Sequence, residues 1–91
     1  MDIRVHAVFK GRVQGVNFRA STREVAVREG VVGWVRNLPD GSVEAVFEGP
    51  EFTVMKVIDF CKTAFPRARV DTVDVETKTA TGAFKKFYIR R

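Results

Sequence analysis

The feature that most constrains the fold of this chain is the way its apolar period changes from two to 3.6 and back. Ile3, Val5, Ala7 and Phe9 alternate with Arg4, His6 and Lys10, the pattern of a strand with one buried face that runs into Gly11. From Phe18 the spacing changes: Phe18, Thr22, Val25, Ala26 and Val27 follow a helical period, and Gly30 supplies a C-terminal stop. Two starts fit this helix. Asn17 can cap it directly, or Ser21-Thr22-Arg23-Glu24 can act as a capping box, and the periodicity favours Asn17 or Phe18. Val31 to Val35 is a β-branched and aromatic run, followed by the turn signal Leu38-Pro39-Asp40-Gly41 and by Val43, Ala45 and Phe47 alternating with Glu44 and Glu48. Together they predict a hairpin. Gly49-Pro50 opens a second amphipathic helix, with Val54, Val57, Ile58, Cys61 and Phe65 on one face and Pro66 beyond its end. Val73 and Val75 between Thr72, Asp74 and Glu76 predict a fourth strand, and Phe84 to Ile89 a short last one after Thr81-Gly82.

The resulting order, β-α-β-β-α-β plus a tail strand, fixes where a site can form. A strand, a crossover helix and a second strand in one sheet run parallel, with a right-handed crossover in nearly all cases. In the split βαβ arrangement that this order suggests, the third strand lies between the first two, so their C-terminal ends sit about 10 Å apart. Two short segments occupy those ends: GRVQGV, Gly11 to Val16, and Arg36-Asn37.

Composition sets outer limits. Ninety-one residues, 45% hydrophobic and 30% charged, without a composition shift, predict one globular domain over 1–91. A net charge of +5 and a pI near 9.9 favour anionic partners without choosing among nucleic acid, acidic lipid and phosphorylated metabolites. The single cysteine, Cys61, allows no internal disulfide and falls in a helical apolar pattern, where a small buried hydrophobe is the simplest reading. The lone histidine, His6, points to the polar face of the first strand and receives no role. No run of about 18 apolar residues and no apolar N-terminal stretch appear, so the expected location is the cytoplasm.

In GRVQGV, Gly11 and Gly15 would let successive backbone N–H groups converge on an anion, although the same glycines suit an ordinary strand-to-helix turn. Arg19 shifts that balance. A cation in the first turn of a helix opposes the dipole by some tenths of a kcal/mol, a misfit that an anion placed between them would relieve. Other basic residues, including Arg36, Lys85, Lys86, Arg90 and Arg91, are read as solvated surface, and Arg12 as the exception worth testing.

GRVQGVNFR, Gly11 to Arg19, followed by Asn37 within GWVRNLPDGSVE, resembles the acylphosphatase family. The resemblance runs closely from the first strand through the hairpin and more loosely beyond it. It implies a ferredoxin-like α/β (α+β) sandwich whose antiparallel sheet is covered on one face by two helices. It also implies hydrolysis of acyl phosphates to carboxylate and inorganic phosphate. Arg19 and Asn37 match the family's catalytic pair, and Gly11, Arg12, Val13, Gln14, Gly15 and Val16, with Arg19, would form the phosphate-binding cradle. No metal or cofactor is implied. The expected partners are a small acyl phosphate and inorganic phosphate as product and competitive inhibitor, with no nucleic acid, no membrane and a monomeric state. Two rival readings share the element order or the site. An RNA-binding module needs paired aromatics and a basic-glycine start on its third strand, and Val43 to Gly49, VEAVFEG, has neither. A regulatory domain that binds carbamoyl phosphate without turnover would keep the same cradle.

Overall fold

The computed structural model describes residues 2–91. It contains β1 (Asp2–Arg12), α1 (Phe18–Glu29), β2 (Val32–Asn37), β3 (Val43–Pro50), α2 (Glu51–Thr63), β4 (Arg69–Thr79) and β5 (Phe87–Ile89). The sheet order is β4-β1-β3-β2-β5. β3 pairs antiparallel with both β1 and β2, so these two run parallel with β3 between them, as the element order requires. Their C-terminal ends therefore open on the same end of the sheet.

The sheet is mixed rather than purely antiparallel. β5 adds to the free edge of β2 in parallel, with Gly33, Trp34 and Val35 opposite Phe87, Tyr88 and Ile89. The cause is topological. The chain leaves β4 at one edge and crosses the end of the sheet before entering the other edge, which turns it to the direction of β2. Glu48 ties down this crossing: its carboxylate, 4% exposed, accepts hydrogen bonds from the backbone N–H groups of Thr81 and Gly82 at 3.1 and 2.8 Å.

One face of the sheet packs on the helices through Val5, Ala7, Phe9, Val35, Val43, Ala45 and Phe47, all fully buried, with Val25 and Ala26 of α1 and Val54, Val57 and Cys61 of α2 closing over them. Aromatic rings link this core to the start of α1: Phe18 lies 5.1 Å from Phe9 and 5.3 Å from Phe65, within the range of favourable ring pairs. Phe18 is the first residue of α1, so packing it fixes the neighbouring Arg19. Losing a ring as buried as Phe18 costs about 3–5 kcal/mol.

Four boundaries differ from the sequence expectation, one of them β5, which begins at Phe87 rather than Phe84. β1 continues past Gly11 to Arg12, with a bulge between Lys10 and Gly11 in its pairing with β4. β4 spans eleven residues rather than the short run around Val73 and Val75. Pro50 ends β3 and precedes α2, which starts at Glu51.

Candidate active site

Residues 13–17 join β1 to α1, and their backbone explains the sequence. Gly15 has φ 74°, a left-handed conformation that glycine adopts without penalty, and Asn17 takes φ 64°, which asparagine tolerates better than most residues. With its backbone turned this way, the Asn17 side chain makes no capping hydrogen bond, and the first turn of α1 contains no acidic residue. The expected direct cap is therefore absent. Helix N-terminal amides, which a side-chain oxygen usually satisfies, receive none from Asn17.

The loop lines a cleft of about 260 Å³ together with Arg19, Asn37, Phe18, Ala20, Ile89 and Arg91. That is smaller than sites that enclose drug-sized ligands and suits a compact anion. Val13 is 1% exposed, so what it offers the cleft is main chain, and Gly15 has nothing else to offer. The guanidinium groups of Arg19 and Arg91 and the side-chain amides of Gln14, Asn17 and Asn37 line this space, and among the described residues no acidic side chain does. Among the described residues no acidic group forms a salt bridge with Arg19. A site made of amides, guanidinium and carboxamide attracts a tetrahedral oxyanion and offers it several donors.

The structure thus brings Val13, Gln14, Gly15, Arg19 and Asn37 together, and leaves Gly11, Arg12 and Val16 off the cleft wall. Gly11 belongs to the β1 bulge: at φ 133° an added Cβ would overlap the Arg69 carbonyl oxygen of β4. Its glycine serves the close approach of β4. Arg12 is the last residue of β1, paired with Arg69, and Val16 is buried in the core. Ile89 has no role in the sequence reading and Arg91 is read there as solvated surface; both line the cleft, because the parallel docking of β5 on β2 carries them to it.

Asn37 is the last residue of β2, opposite Val43. The hairpin beyond it is braced. Leu38 N–H donates to the Ser42 carbonyl at 2.9 Å, Gly41 N–H to the Leu38 carbonyl at 3.2 Å, and the Asp40 carboxylate accepts from the Ser42 hydroxyl and amide. Those bonds, the hydroxyl first, hold the Asp40 carboxyl below its ordinary range. The Gln14 side chain reaches across to the same neck, donating through Nε2 to the carbonyls of Leu38 and Ser42 at 2.8 and 2.9 Å.

Other reactive groups lie elsewhere. Burial pushes the Cys61 thiol up to about 12, only partly offset by its hydrogen bond to Thr22, so it is no nucleophile at neutral pH. His6 sits on the open face of the sheet, 2.7 Å from Glu44, which also accepts from Arg36 at 2.6 Å. Trp34 is on that face too, with the guanidinium groups of Arg36 and Arg90 5.4 and 4.8 Å from its ring centre.

Residues 5–89 match the family model described as acylphosphatase. The chain belongs to the acylphosphatase family. It is 54% identical to an acylphosphatase of Gloeobacter violaceus over 88% of this chain and 86% of that protein. With an acylphosphatase of Roseiflexus it shares 52% identity over 98% and 97%. The solved structure of acylphosphatase from Bacillus subtilis superposes with a TM-score of 0.93 at 30% identity, covering 98% of this chain and 99% of that one. Membership makes the chain a hydrolase of the acylphosphatase class with the ferredoxin-like α+β sandwich of that family. No helix among the described residues is long and apolar enough to cross a membrane.

Proposed function

We propose that this acylphosphatase hydrolyses carboxyl phosphates by in-line attack of a water held by Asn37 on a phosphoryl group held by Arg19 and the 13–17 loop, without a metal. The observation that carries the reading is the shared cleft: a guanidinium, a carboxamide and main-chain donors line one small space.

The chemistry follows from what the lining contains. Among the described residues it includes no histidine, acidic side chain or thiol to act as general acid or base. Such a site works on a substrate whose leaving group needs no proton, and a carboxylate, with conjugate acid pKa of about 4, leaves unaided at neutral pH. In the proposed step the water oxygen bonds to phosphorus while the phosphorus–acyl oxygen bond breaks on the opposite side. The electron pair leaves with the carboxylate, and a phosphoryl oxygen accepts the water's proton. Arg19 and the loop amides neutralise charge on the equatorial oxygens, and the Asn37 side chain orients the water. Inorganic phosphate, the product, then competes for the same donors. The reading includes a monomeric, single-domain enzyme working in the cytoplasm.

The deciding experiment is hydrolysis of acetyl or benzoyl phosphate in the presence of a chelator. Turnover should be unaffected by chelation. Asn37→Ala should lose roughly 100 to 1000-fold in kcat, the usual cost of one preorganised donor, while still binding phosphate. A near-normal Asn37→Ala rate would remove the asparagine from the mechanism. Binding of carbamoyl phosphate by the parent without turnover would make the protein a regulatory domain instead.

A further inference from the structure

We infer that Gln14 is a positioning residue: its side-chain amide sets the spacing between the loop that holds the phosphoryl group and the asparagine that holds the water. The inference rests on the reading of Arg19 and Asn37 given above.

The two halves of the site come from different parts of the chain, and the sheet alone does not join them. The last pairs that β3 makes toward this end are Phe9 with Val43 and Asn37 with Val43. Beyond Val43 the β1–α1 loop and the hairpin are on their own. Gln14 spans this gap. Its Nε2 carries two hydrogens, and the two carbonyls it meets, Leu38 and Ser42, form the neck of the hairpin. Leu38 is bonded to Ser42 across that neck and directly follows Asn37. Asn37 is thereby held between its ladder partner Val43 and a neck anchored to the cradle.

The geometry separates this role from substrate binding. Both donors of the Gln14 amide group are engaged by protein carbonyls, so neither is left to serve the phosphoryl group. It also explains the residue type. Glutamate would set an anion against two carbonyl oxygens, and asparagine is one methylene too short for the same reach. A misplacement of about 1 Å between reacting groups can cost on the order of 100-fold in rate, so a clamp on this spacing acts on kcat.

The test uses Gln14→Met, which keeps the length and removes the donors. Folding should survive, because the Leu38 carbonyl still accepts from Gly41 N–H and the Ser42 carbonyl from Leu38 N–H. The expected result is a loss of roughly 10 to 100-fold in kcat, with the dissociation constant for inorganic phosphate changed less than about threefold. In the Asn37→Ala background the same substitution should cost less than about twofold, because the group it positions is gone. Equal losses in both backgrounds, or weakened phosphate binding with unchanged kcat, would overturn the inference. Hydrogen exchange of the Gln14 side-chain amide in the parent gives a second reading that needs no variant: slowed exchange supports the clamp, and exchange at the rate of a free amide refutes it. Should the parent fail to hydrolyse acetyl phosphate at all, the reading of the site falls and the positioning role falls with it, whatever the exchange rate.

Discussion

The two ends of the sheet handle backbone amides in opposite ways. At the end where β3 finishes, the N–H groups of Thr81 and Gly82 converge on the carboxylate of Glu48, which also takes the Thr81 hydroxyl at 3.3 Å. The chain supplies its own anion there, and the result is a joint that fastens the β4–β5 crossing. At the other end the 13–17 loop and the N-terminus of α1 also gather main-chain donors, yet the lining holds Arg19 and Arg91 and, among the described residues, no acidic side chain. Similar donors thus become a structural joint or an anion site according to where the charge comes from. A chain that meant to close the second end would place an acid in the first turn of α1, where the helix dipole favours it; this one places Arg19 there.

The largest effect should come from disturbing the open end. Arg19→Lys keeps one positive charge and loses the planar fork that can engage two oxygens at once. Its kcat/KM for benzoyl phosphate should fall roughly 100 to 1000-fold, with inhibition by inorganic phosphate weakening in parallel. If the lysine variant were inhibited as well as the parent, a point charge would suffice and the contrast between the ends would lose its chemical basis. A smaller effect belongs to the closed end. Glu48→Gln replaces a buried anion by a neutral group whose NH2 cannot accept, so stability should drop by about 1–3 kcal/mol. Urea unfolding measures that loss, while kcat and phosphate inhibition in native conditions should stay at parent values. A matching fall in kcat would show that the two ends are coupled through the sheet.

How much of this was legible in the sequence depended on whether a residue's task was local. β1, both helices and the β2–β3 hairpin were readable because each buries one face, and burial writes its period into the chain. β4 was foreseen only around Val73 and Val75, since most of its side chains are exposed at the sheet edge and carry no apolar pattern. β5 has three residues and pairs in parallel, a relation with no local signal, and Arg91 in the cleft follows from it. Gly11 and Gly15 look alike in GRVQGV, but one relieves a clash with β4 and the other turns the loop. Arg19 stands out as a cation in the first turn of a helix, and its pairing with Asn37 comes from the motif that carries the family resemblance. The Gln14 clamp was out of reach, because its partners are carbonyls 24 and 28 residues away.

The smallest effect tests whether a second paired carboxylate, outside both the joint and the cleft, keeps to its own region. Glu44 lies on the open face of β3; burial raises its carboxyl, but hydrogen bonds with His6 and Arg36 outweigh that and hold it below its ordinary 4.5. A carboxyl whose pKa is depressed by folding adds stability that is present above the unfolded value and is lost as pH falls through the folded one. Comparing urea unfolding at neutral pH and at about pH 3 should therefore show the parent losing more stability than Glu44→Gln, which has no such group to protonate. The exposed Asp40 carboxyl, also held low by Ser42, remains in both proteins and leaves the variant some acid sensitivity of its own. Parallel losses would mean that the pairing of Glu44 with Arg36 and His6 adds nothing in solution. Phosphate inhibition at neutral pH should be the same in the two proteins, because Glu44 does not line the cleft. A change there would mean that Arg36, freed from Glu44, carries its neighbour Asn37 with it.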